Sequence, residues 1–460
     1  MITRPPATSK SLAFTPGTAS CPPCGVPVDR SEVRERSFHA ADLYAPTELH
    51  VSFGCFICPE HPVGERWFTT LPSDLADRGR YSVPTRALLV ALVVKHKVSF
   101  QQAASFARTH FHLAALDAST VMRWVRDGAP SFEALAERER ALAKRFSGQL
   151  AVDEVYSGGV ALLKATDPIL GEEIAYDFVD GPVDHAAIVA FFQRLKAMGL
   201  KPLIVTTDGA AVYPAAIAEV WPEAKHQSCV FHLMQSWTKL AMKALWHCHG
   251  LMPPPKKRGR GRPKKRGRPR KDAEKQANRD LVRKARFLFL KRPEHLTELE
   301  AEQLRRAINA FSRFGDGSCL GVLRALVLAV YDLFGSDVRD ADDARRRRDA
   351  LLADAKFGLP FLEPLFKPLR DEVLFNKLIV SLDYENAERT TNHVERQNRE
   401  WRKRQKSHYR LRTRRSERAL LDQMLLLPRR APRRHPLGDQ RLRPRQTPPI
   451  APTMEARGAN

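Results

Sequence analysis

The sequence predicts a mixed α/β protein whose central sheet precedes a long helical insertion. Three observations support this class: three β-rich runs in succession, alternating helical and strand patterns after them, and a long helical stretch further on. The predicted strands are residues 150–156, 160–165, 174–179, 202–206 and a short run ending at 231. The predicted helices between them are 184–198 and 210–220. This order, βββαβαβ, indicates a mixed sheet flanked by helices.

Two acidic residues interrupt these apolar strands. Asp153 lies in the middle of the first strand, in LAVDEVY, and Asp208 ends the fourth, in IVTTDG. A carboxylate in an apolar strand is costly to bury unless something pairs with it. Two of them on nearby strands can share divalent cations, and their hard oxygen atoms suit Mg²⁺ or Mn²⁺.

The charge distribution favours nucleic acid as a partner. The net charge is +24 over 460 residues. Residues 256–271 contribute +11, residues 392–418 contribute +8, and residues 428–460 contribute +6, so the remaining chain is nearly neutral. The charge is therefore concentrated in three segments and is not a general solubility feature.

Membrane insertion and secretion are not expected. No stretch resembles a signal peptide, and residues 87–94, the longest uncharged apolar run near the front, are too short to span a bilayer. We expect a cytoplasmic protein without a membrane partner. The seven cysteines suit a reducing compartment and a metal better than a disulfide framework.

Two Cys-x-x-Cys pairs predict a zinc ribbon over residues 21–75, after a disordered Pro-, Ser- and Thr-rich segment at 1–20. The expected zinc ligands are Cys21, Cys24, Cys55 and Cys58. Gly25 suits the tight turn that such a pair requires. His61 is an alternative to one of the thiolates, and buried or free thiols without metal are the alternative to the whole site.

Three short helices over residues 80–130 predict a DNA-binding helix-turn-helix. The second helix should begin with a capping box formed by Ser99 and Gln102. The third presents one polar face, which contains Ser119, Thr120, Arg123 and Arg126. Arg123 and Arg126 are the expected DNA contacts. A plain helical linker bundle is the alternative.

The segment TTNHVERQNREWRKRQK supplies a third acidic residue, Glu395. The strand order with Asp153 and Asp208 resembles the ribonuclease H-like catalytic core, and the chain is similar to DDE transposases of bacterial insertion sequences. That resemblance implies a third acid on a later helix. The quoted segment is similar to the family's Asn-x-x-x-Glu-Arg-x-Asn-Arg motif, so Glu395 is the candidate.

The residues around Glu395 agree with this assignment. Any one of Thr390, Thr391 and Asn392 can cap the helix and place Glu395 in its first turn. Helical spacing then puts Asn398, Arg399 and Arg402 on the same face, where the two arginines are expected to contact DNA. A solvated Glu395 is the alternative, with Glu385, Glu388 and Glu400 as other candidates.

A Cys-x-x-His pair follows Asp208. Several transposase families with an insertion after the second acid carry a similar pair, and here it consists of Cys229 and His232. Two residues alone do not define a metal site. We expect them to be structural groups near the acids.

The spacing between the second and third acids predicts an inserted domain. Asp208 and Glu395 are 187 positions apart, and residues 280–290, 297–311 and 320–334 have helical periodicity. We therefore assign residues 148–250 and 385–427 to the catalytic core and residues 251–384 to an all-helical insertion, which the resemblance also implies.

The insertion begins with the basic run KKRGRGRPKKRGRPRK at residues 256–271. Its two Arg-Gly-Arg-Pro cores resemble AT-hooks, in which glycine lets an extended backbone enter a narrow minor groove. The arginines expected to lie along that groove are Arg260, Arg262, Arg266 and Arg268. A flexible linker with general phosphate attraction is the alternative. The basic tail, residues 428–460, is expected to be disordered.

Together these features predict a DNA transposase. Asp153, Asp208 and Glu395 would hold two Mg²⁺ ions for cleavage and strand transfer, and the front modules would bind the terminal inverted repeats of the element. The partners are then double-stranded DNA, both element ends and target, and at least one further copy of the chain, with a nucleoid-associated location in a bacterium. The alternatives are a non-catalytic DNA-binding regulator and a ribonuclease H-like nuclease that cleaves without joining.

Overall fold

The structure, a computed structural model, describes most of the chain. The described residues are 8–41, 47–73, 75, 80–157, 159–252, 270–312, 319–405, 411, 413–427 and 441–445. The four arginines of the AT-hook-like run and most of the basic tail lie outside them. Two compact units are present, Met1–Ala141 with Gln397–Pro428, and Leu142–Arg396 with Arg429–Asn460.

The described elements are strands, α-helices and short 3-10 turns. The strands are β1 (Thr8–Phe14), β2 (Thr18–Ser20), β3 (Pro27–Ala40), β4 (Thr47–Ile57), β5 (Trp67–Thr69), β6 (Gln149–Ser157), β7 (Val160–Asp167), β8 (Glu172–Asp180), β9 (Ile204–Thr207), β10 (Lys225–Ser228), β11 (Tyr384–Glu385) and β12 (Arg443–Pro444). The helices are α1 (Val83–Val94), α2 (Phe100–His110), α3 (Ala118–Asp127), α4 (Phe132–Arg145), α5 (His185–Ala197), α6 (Val212–Val220), α7 (Val230–Leu251), α8 (Arg270–Ala285), α9 (Glu298–Ser312), α10 (Cys319–Leu333), α11 (Ala341–Ala353), α12 (Glu363–Arg370), α13 (Glu372–Ile379), α14 (Asn392–Lys403) and α15 (Arg414–Leu425). The 3-10 turns are Leu288–Leu290, Pro293–His295, Ala355–Phe357, Pro360–Leu362 and Val380–Asp383. None of the helices among these residues is long and apolar enough to span a bilayer.

The first unit contains a five-stranded sheet in the order β1-β4-β3-β2. The fifth strand, β5, also pairs with β4, over Cys55, Phe56 and Ile57. Alternation along β4 separates two small cores. Phe53 and Cys55 pack with Phe38 on one side, while Phe56 packs with Cys58 and Cys21 on the other. The sheet therefore has apolar contacts on both faces.

The beginning of the chain differs from the expectation of disorder over residues 1–20. Thr8–Phe14 form β1, which pairs in parallel with β4, and Thr18–Ser20 form β2. This pairing provides hydrogen-bond partners for the backbone N–H and C=O groups of β1. The partner strand is far away in the sequence, so composition alone cannot indicate the pairing. Residues 1–7 lie outside the described range.

Three helices follow the sheet, at the positions that the sequence predicts. Ser99 and Gln102 form the expected capping box of α2, and Asp117 caps α3 by accepting a hydrogen bond from Thr120. Val121 and Val125 are buried on the apolar side of α3. Helices α1, α2 and α3 pack against one another, and α15 packs against α3 in the same unit.

The second unit contains the sheet that the sequence predicts as βββαβαβ. The strand order is β10-β9-β6-β7-β8, with β7 antiparallel to its two neighbours and β6, β9 and β10 parallel. Helices α5 and α6 cover one face, where Phe192 and Tyr213 are among the fully buried side chains. The opposite face carries Asp153.

The regular elements described between residues 252 and 383 are all helical. Their core also includes one side of α7, through Trp237, Leu245 and Cys248. The sequence predicts that the insertion starts at residue 251, but α7 belongs to the helical core from Trp237 onward. An apolar helix of 22 residues extends well beyond the short strand that precedes it and must bury its apolar side elsewhere.

A short piece of the C-terminal tail is ordered against the second unit. Strand β12 pairs with β11, and Leu442 is buried beside Ile169 and Ile204. The composition of residues 428–460, rich in Pro and Arg, predicts disorder throughout this tail. The buried leucine explains why this part is held.

A buried arginine anchors α1 in the first unit. Arg404 donates to the carbonyl oxygens of Val93 and Val94 at 3.2 and 3.1 Å, and to Glu400 at 3.0 Å. These carbonyls end α1, where the helix dipole favours a cation. Lys97 also pairs with Glu400, at 3.0 Å, but its side chain is exposed.

We expect Arg404→Leu to lower the free energy of unfolding of the first unit by about 3 kcal/mol, because it leaves the carbonyls of Val93 and Val94 without their donor and Glu400 with Lys97 alone. Urea denaturation, with hydrogen exchange of the α1 amides to locate the loss, measures this effect. The control Lys97→Gln removes only an exposed ion pair and should cost less than about 1 kcal/mol. Equal losses in the two variants would contradict the anchoring role.

Candidate functional site

Asp153 lies on β6, and Asp208 directly follows β9, the parallel strand beside it. The β6–β9 register pairs Ala151 with Thr206, and each acid lies two residues beyond its member of that pair. Side chains two residues apart on a strand point to the same face, and paired strands lie about 4.8 Å apart. The two acids therefore project from neighbouring points of one face of the sheet.

The turn after β9 fixes the backbone around Asp208. Gly209 has a φ of +93°, in the left-handed region that favours glycine, and the chain turns there towards α6. The Ala210 amide donates to Oδ1 of Asp208 at 2.9 Å. One oxygen of the carboxylate thus holds the turn in place.

Glu154 and Tyr213 join the two acid-bearing segments on the other side of the sheet. The Tyr213 hydroxyl donates to Oε2 of Glu154. Tyr213 is fully buried, and burial raises the pKa of both groups, that of Tyr213 well above its usual range. The bond connects the residue after Asp153 to the first turn of α6, five residues after Asp208. Sequence reasoning missed this pair, although an acid directly after Asp153 was a visible signal.

Two buried glutamines hold the chain that returns from the insertion. The Gln149 side chain donates to the Glu388 carbonyl at 2.6 Å and accepts from the Glu388 amide at 2.8 Å. Gln227 donates to the Leu378 carbonyl at 2.9 Å and accepts from the Ser381 amide at 2.8 Å. Both glutamines lie on the face of the sheet that carries the two aspartates, so residues 378–388 are fastened to that face. Nothing in the sequence indicated these roles.

The next residues fasten the start of α14 to the start of α7. The Val230 amide donates to the Arg389 carbonyl at 3.1 Å. Thr391 donates to the Cys229 sulfur from its amide at 3.3 Å and from its hydroxyl at 3.2 Å. The first hydrogen bond of α14 runs from the Glu395 amide to the Thr391 carbonyl, at 3.0 Å. Thr391 thus occupies the predicted cap position, and its hydroxyl binds Cys229.

Glu395 lies in the first turn of α14, beside His232. Nε2 of His232 and Oε1 of Glu395 are 3.3 Å apart, and one ligand atom from each of Cys229, His232 and Glu395 lies within 4.8 Å of the other two. This spacing could hold a metal ion. The sulfur of Cys229 already accepts two hydrogen bonds from Thr391.

The electrostatics of this cluster connect it with the aspartates. Its hydrogen bond with Cys229 raises the pKa of His232 to about 9, against the effect of burial, and the carboxylates of Glu395 and Asp153 add to the rise. Burial alone would raise the pKa of the Cys229 thiol, but hydrogen bonds from His232 and Thr391 lower it. His232 is therefore a cation at neutral pH, within electrostatic reach of two of the three acids.

Tyr213 is affected electrostatically by both aspartates. Besides Glu154, the carboxylates of Asp208 and Asp153 raise its pKa. The carboxylate of Asp153 thus contributes to the raised pKa of both His232 and Tyr213. Asp153 lies on β6, Asp208 follows β9 and Glu395 lies on α14, and among the described residues these three acids do not form one group of ligand atoms within 4.8 Å of one another. Oε1 of Glu395 is buried and forms no well-aligned hydrogen bond with a described donor, as expected of a ligand atom.

A second cluster lies in the first unit, at the turns after β2 and after β4. The four residues are Cys21, Cys24, Cys58 and His61, and their ligand atoms all lie within 4.8 Å of one another. The sulfurs of Cys24 and Cys58 are 3.7 Å apart, close to the separation of about 3.8 Å for two thiolates on one tetrahedral zinc ion. Nε2 of His61 is buried and has no hydrogen-bond partner among the described residues. The cluster could bind a metal and is compatible with structural zinc.

Cys55, one of the four ligands predicted from the sequence, is not in this cluster. It lies on β4, three residues before Cys58, and odd spacing on a strand sends the two side chains to opposite faces. Cys55 therefore packs with Phe38, Val51 and Phe53 in a separate apolar core. His61, the alternative ligand, completes the group of four. The predicted turn glycine, Gly25, has a φ of +75°.

The four described arginines that the sequence assigns to DNA contacts are on helix surfaces. On α3, Arg123 is exposed and donates to Thr120, while Arg126 is partly buried and pairs with Asp127. Arg399 and Arg402 are exposed on α14. These positions are open to a ligand, and their DNA contacts stay a prediction.

A family comparison bears on the second unit. The Mutator family of transposases has a sequence model that matches residues 168–249. This stretch runs from before β8 to near the end of α7 and includes Asp208, Cys229 and His232, but neither Asp153 nor Glu395. No curated protein is significantly similar to the chain. The family match supports a transposase, and hence a protein that acts on DNA.

Proposed function

We propose that the protein is a DDE transposase, which cleaves the DNA strands at the ends of an insertion sequence and joins them to target DNA. The arrangement that supports this proposal is Asp153 on β6 and Asp208 directly after the parallel strand β9, with Glu395 in the first turn of α14 beside His232. The family match over residues 168–249 supports the general activity. The order β10-β9-β6-β7-β8 supports a ribonuclease H-like core.

Each residue of the site has a distinct task in this proposal. Asp153, Asp208 and Glu395 bind the divalent cations, Mg²⁺ or Mn²⁺. Bound ions supply activation of the attacking oxygen and stabilisation of the leaving oxygen. Cys229 and Thr391 hold the first turn of α14 so that Glu395 faces His232, and Glu154 with Tyr213 sets the spacing between the two aspartates.

The first unit supplies DNA recognition. Helices α1, α2 and α3 form the helix-turn-helix, and Arg123 on the polar face of α3 contacts the terminal inverted repeats. The cluster of Cys21, Cys24, Cys58 and His61 binds structural zinc and stabilises the sheet beside these helices. Pairing of two element ends requires a dimer or a larger assembly of the chain on double-stranded DNA.

The experiment that tests the function uses a duplex containing the genomic DNA that flanks the gene, incubated with the full chain and Mg²⁺. Strand cleavage at the repeat and joining of the new 3′ end to a plasmid are the expected products. Cleavage without joining would indicate a nuclease, and DNA binding without either product would indicate a regulator.

We expect Asp153→Asn and Glu395→Gln each to reduce strand cleavage by about 100- to 1,000-fold, because each removes a charged ligand of the divalent cations that would act on the reacting phosphate. Binding to repeat DNA, measured by gel shift, should be retained. The matched control is Glu385→Gln, an exposed acid on β11 outside the cluster, which should cleave at the wild-type rate. Normal cleavage by either site variant would remove that residue from the catalytic set.

We expect Tyr213→Phe to raise the Mg²⁺ concentration for half-maximal cleavage about tenfold, as for other groups that orient metal ligands, while saturating Mg²⁺ largely restores the rate. Tyr156→Phe is the control, because its hydroxyl only accepts a long bond of 3.4 Å from the Val183 amide. A loss of rate that is the same at every Mg²⁺ concentration would point to a folding defect and contradict the positioning role.

For the zinc cluster, we expect about one zinc ion per wild-type chain, measured by mass spectrometry of the purified protein. Cys58→Ser and His61→Ala should lose most of it, because four ligands complete a structural site. Cys55→Ala should keep it, since this thiol lies in the other core. Retention by His61→Ala together with loss by Cys55→Ala would reverse the ligand assignment.

A further inference from the structure

We infer that the exposed face of α7 is a binding track for the phosphate backbone of duplex DNA that leads away from the catalytic acids. This inference rests on the proposed function and identifies where the DNA substrate continues beyond the site. It concerns four residues that share one face of the helix. They are Lys239, Lys243, Trp246 and His247.

The face begins at the catalytic cluster. His232, beside Glu395, lies in the first turn of α7, and at 100° per residue Lys239 and Lys243 fall within about 20° of the same direction. Trp246 and His247 lie on either side of that direction, about 40° and 60° away. All four side chains are exposed, and Trp246 is 41% exposed. The opposite side, with Trp237, Leu245 and Cys248, is buried in the helical core.

The charged residues of α7 are all basic. Its sequence, VFHLMQSWTKLAMKALWHCHGL, contains no Asp or Glu. Lys239 and Lys243 are four residues apart, a spacing at which like charges destabilise a helix by about 0.2–0.5 kcal/mol. Neither forms an ion pair with a described residue. The helix therefore keeps a repulsive, unneutralised pair that an anionic partner would relieve.

The arginines at the centre of α11 form ion pairs within the protein. On α11, Arg345, Arg346 and Arg347 each pair with an aspartate three or four residues earlier, Asp342 or Asp343. The arginine-rich run of α11 thus resembles a solvated helix surface with internal ion pairs. Lys239 and Lys243, in contrast, have no acidic residue on their own helix with which to form such a pair.

The length and continuation of α7 fit duplex DNA. A helix of 22 residues spans about 33 Å, close to one turn of B-DNA. Lys239 and Lys243 lie about 10 and 16 Å along the axis from His232. Beyond α7 the sequence continues into the run 256–271, with eleven basic residues and no acid. Along the sequence, the basic residues of α7 are therefore followed by the most basic segment of the chain.

The experiment measures binding of a 30-base-pair duplex of arbitrary sequence by the full chain carrying Asp153→Asn, which separates binding from cleavage. Removal of one lysine that binds a phosphate should reduce the slope of log Kd against log salt concentration by about 0.9. We expect Lys239→Ala with Lys243→Ala to reduce the slope by about 1.8. The matched control, Lys201→Ala with Lys367→Ala, removes two exposed lysines elsewhere in the unit and should leave it unchanged. Alanine favours helix, so the test pair should fold.

The outcomes separate this inference from the proposed function. If the Lys239 and Lys243 variant with an intact Asp153 cleaves DNA and its salt slope equals that of the control, the track is refuted and the transposase proposal stands. A wild-type chain that neither binds nor cleaves DNA would overturn both. Loss of affinity for single-stranded RNA of the same length, without loss for the duplex, would also refute the track.

Discussion

The hydrogen bonds that fasten residues 378–391 to the sheet decide where Glu395 lies. Glu395 follows Asp208 by 187 positions, and closing a chain of that length costs about 5 kcal/mol in entropy. Bonds from Gln149, Gln227, Cys229 and Val230 hold the returning chain, and each buried bond contributes about 1 kcal/mol net. Together they are large enough to offset the closure, while the helical core supplies the remaining stability.

These contacts are hydrogen bonds, which are directional and therefore fix the position of the returning chain on the sheet. Apolar attraction is non-directional, whereas Gln149, which both donates to and accepts from the backbone of Glu388, fits a single register. Removing a partner from such a bond leaves a buried group unsatisfied, at a cost of about 1–3 kcal/mol. The proposed site, with acids on β6, after β9 and on α14, needs this kind of fixed register, because metal ligands tolerate little displacement.

Local sequence patterns predict most of the helices and strands. They do not predict features that depend on a partner far away in the sequence. Neighbouring residues predict the order of strands and helices along the chain and the capping box at Ser99. They also predict the positions of the two aspartates, within one apolar strand and at the end of another. The role of Gln149 depends on a backbone unit 239 residues away, and β1 depends on pairing with β4. Cys55 was assigned as a ligand from spacing alone, because the pleat that sends it away from Cys58 is known only once β4 is defined.

Helix α7 contacts both the start of α14 and the helical core of the insertion, and it directly follows β10 of the sheet. Its first turn carries Cys229, at the cap position, and His232, which contact Thr391 and Glu395; its buried side belongs to the core of the insertion. A helix transmits displacement along its axis because its hydrogen-bonded backbone is stiff. A shift of the insertion core would therefore move His232 relative to Asp153 and Glu395. The insertion is then part of the scaffold that sets the geometry of the acids, and its helices are as much a part of the site as the sheet.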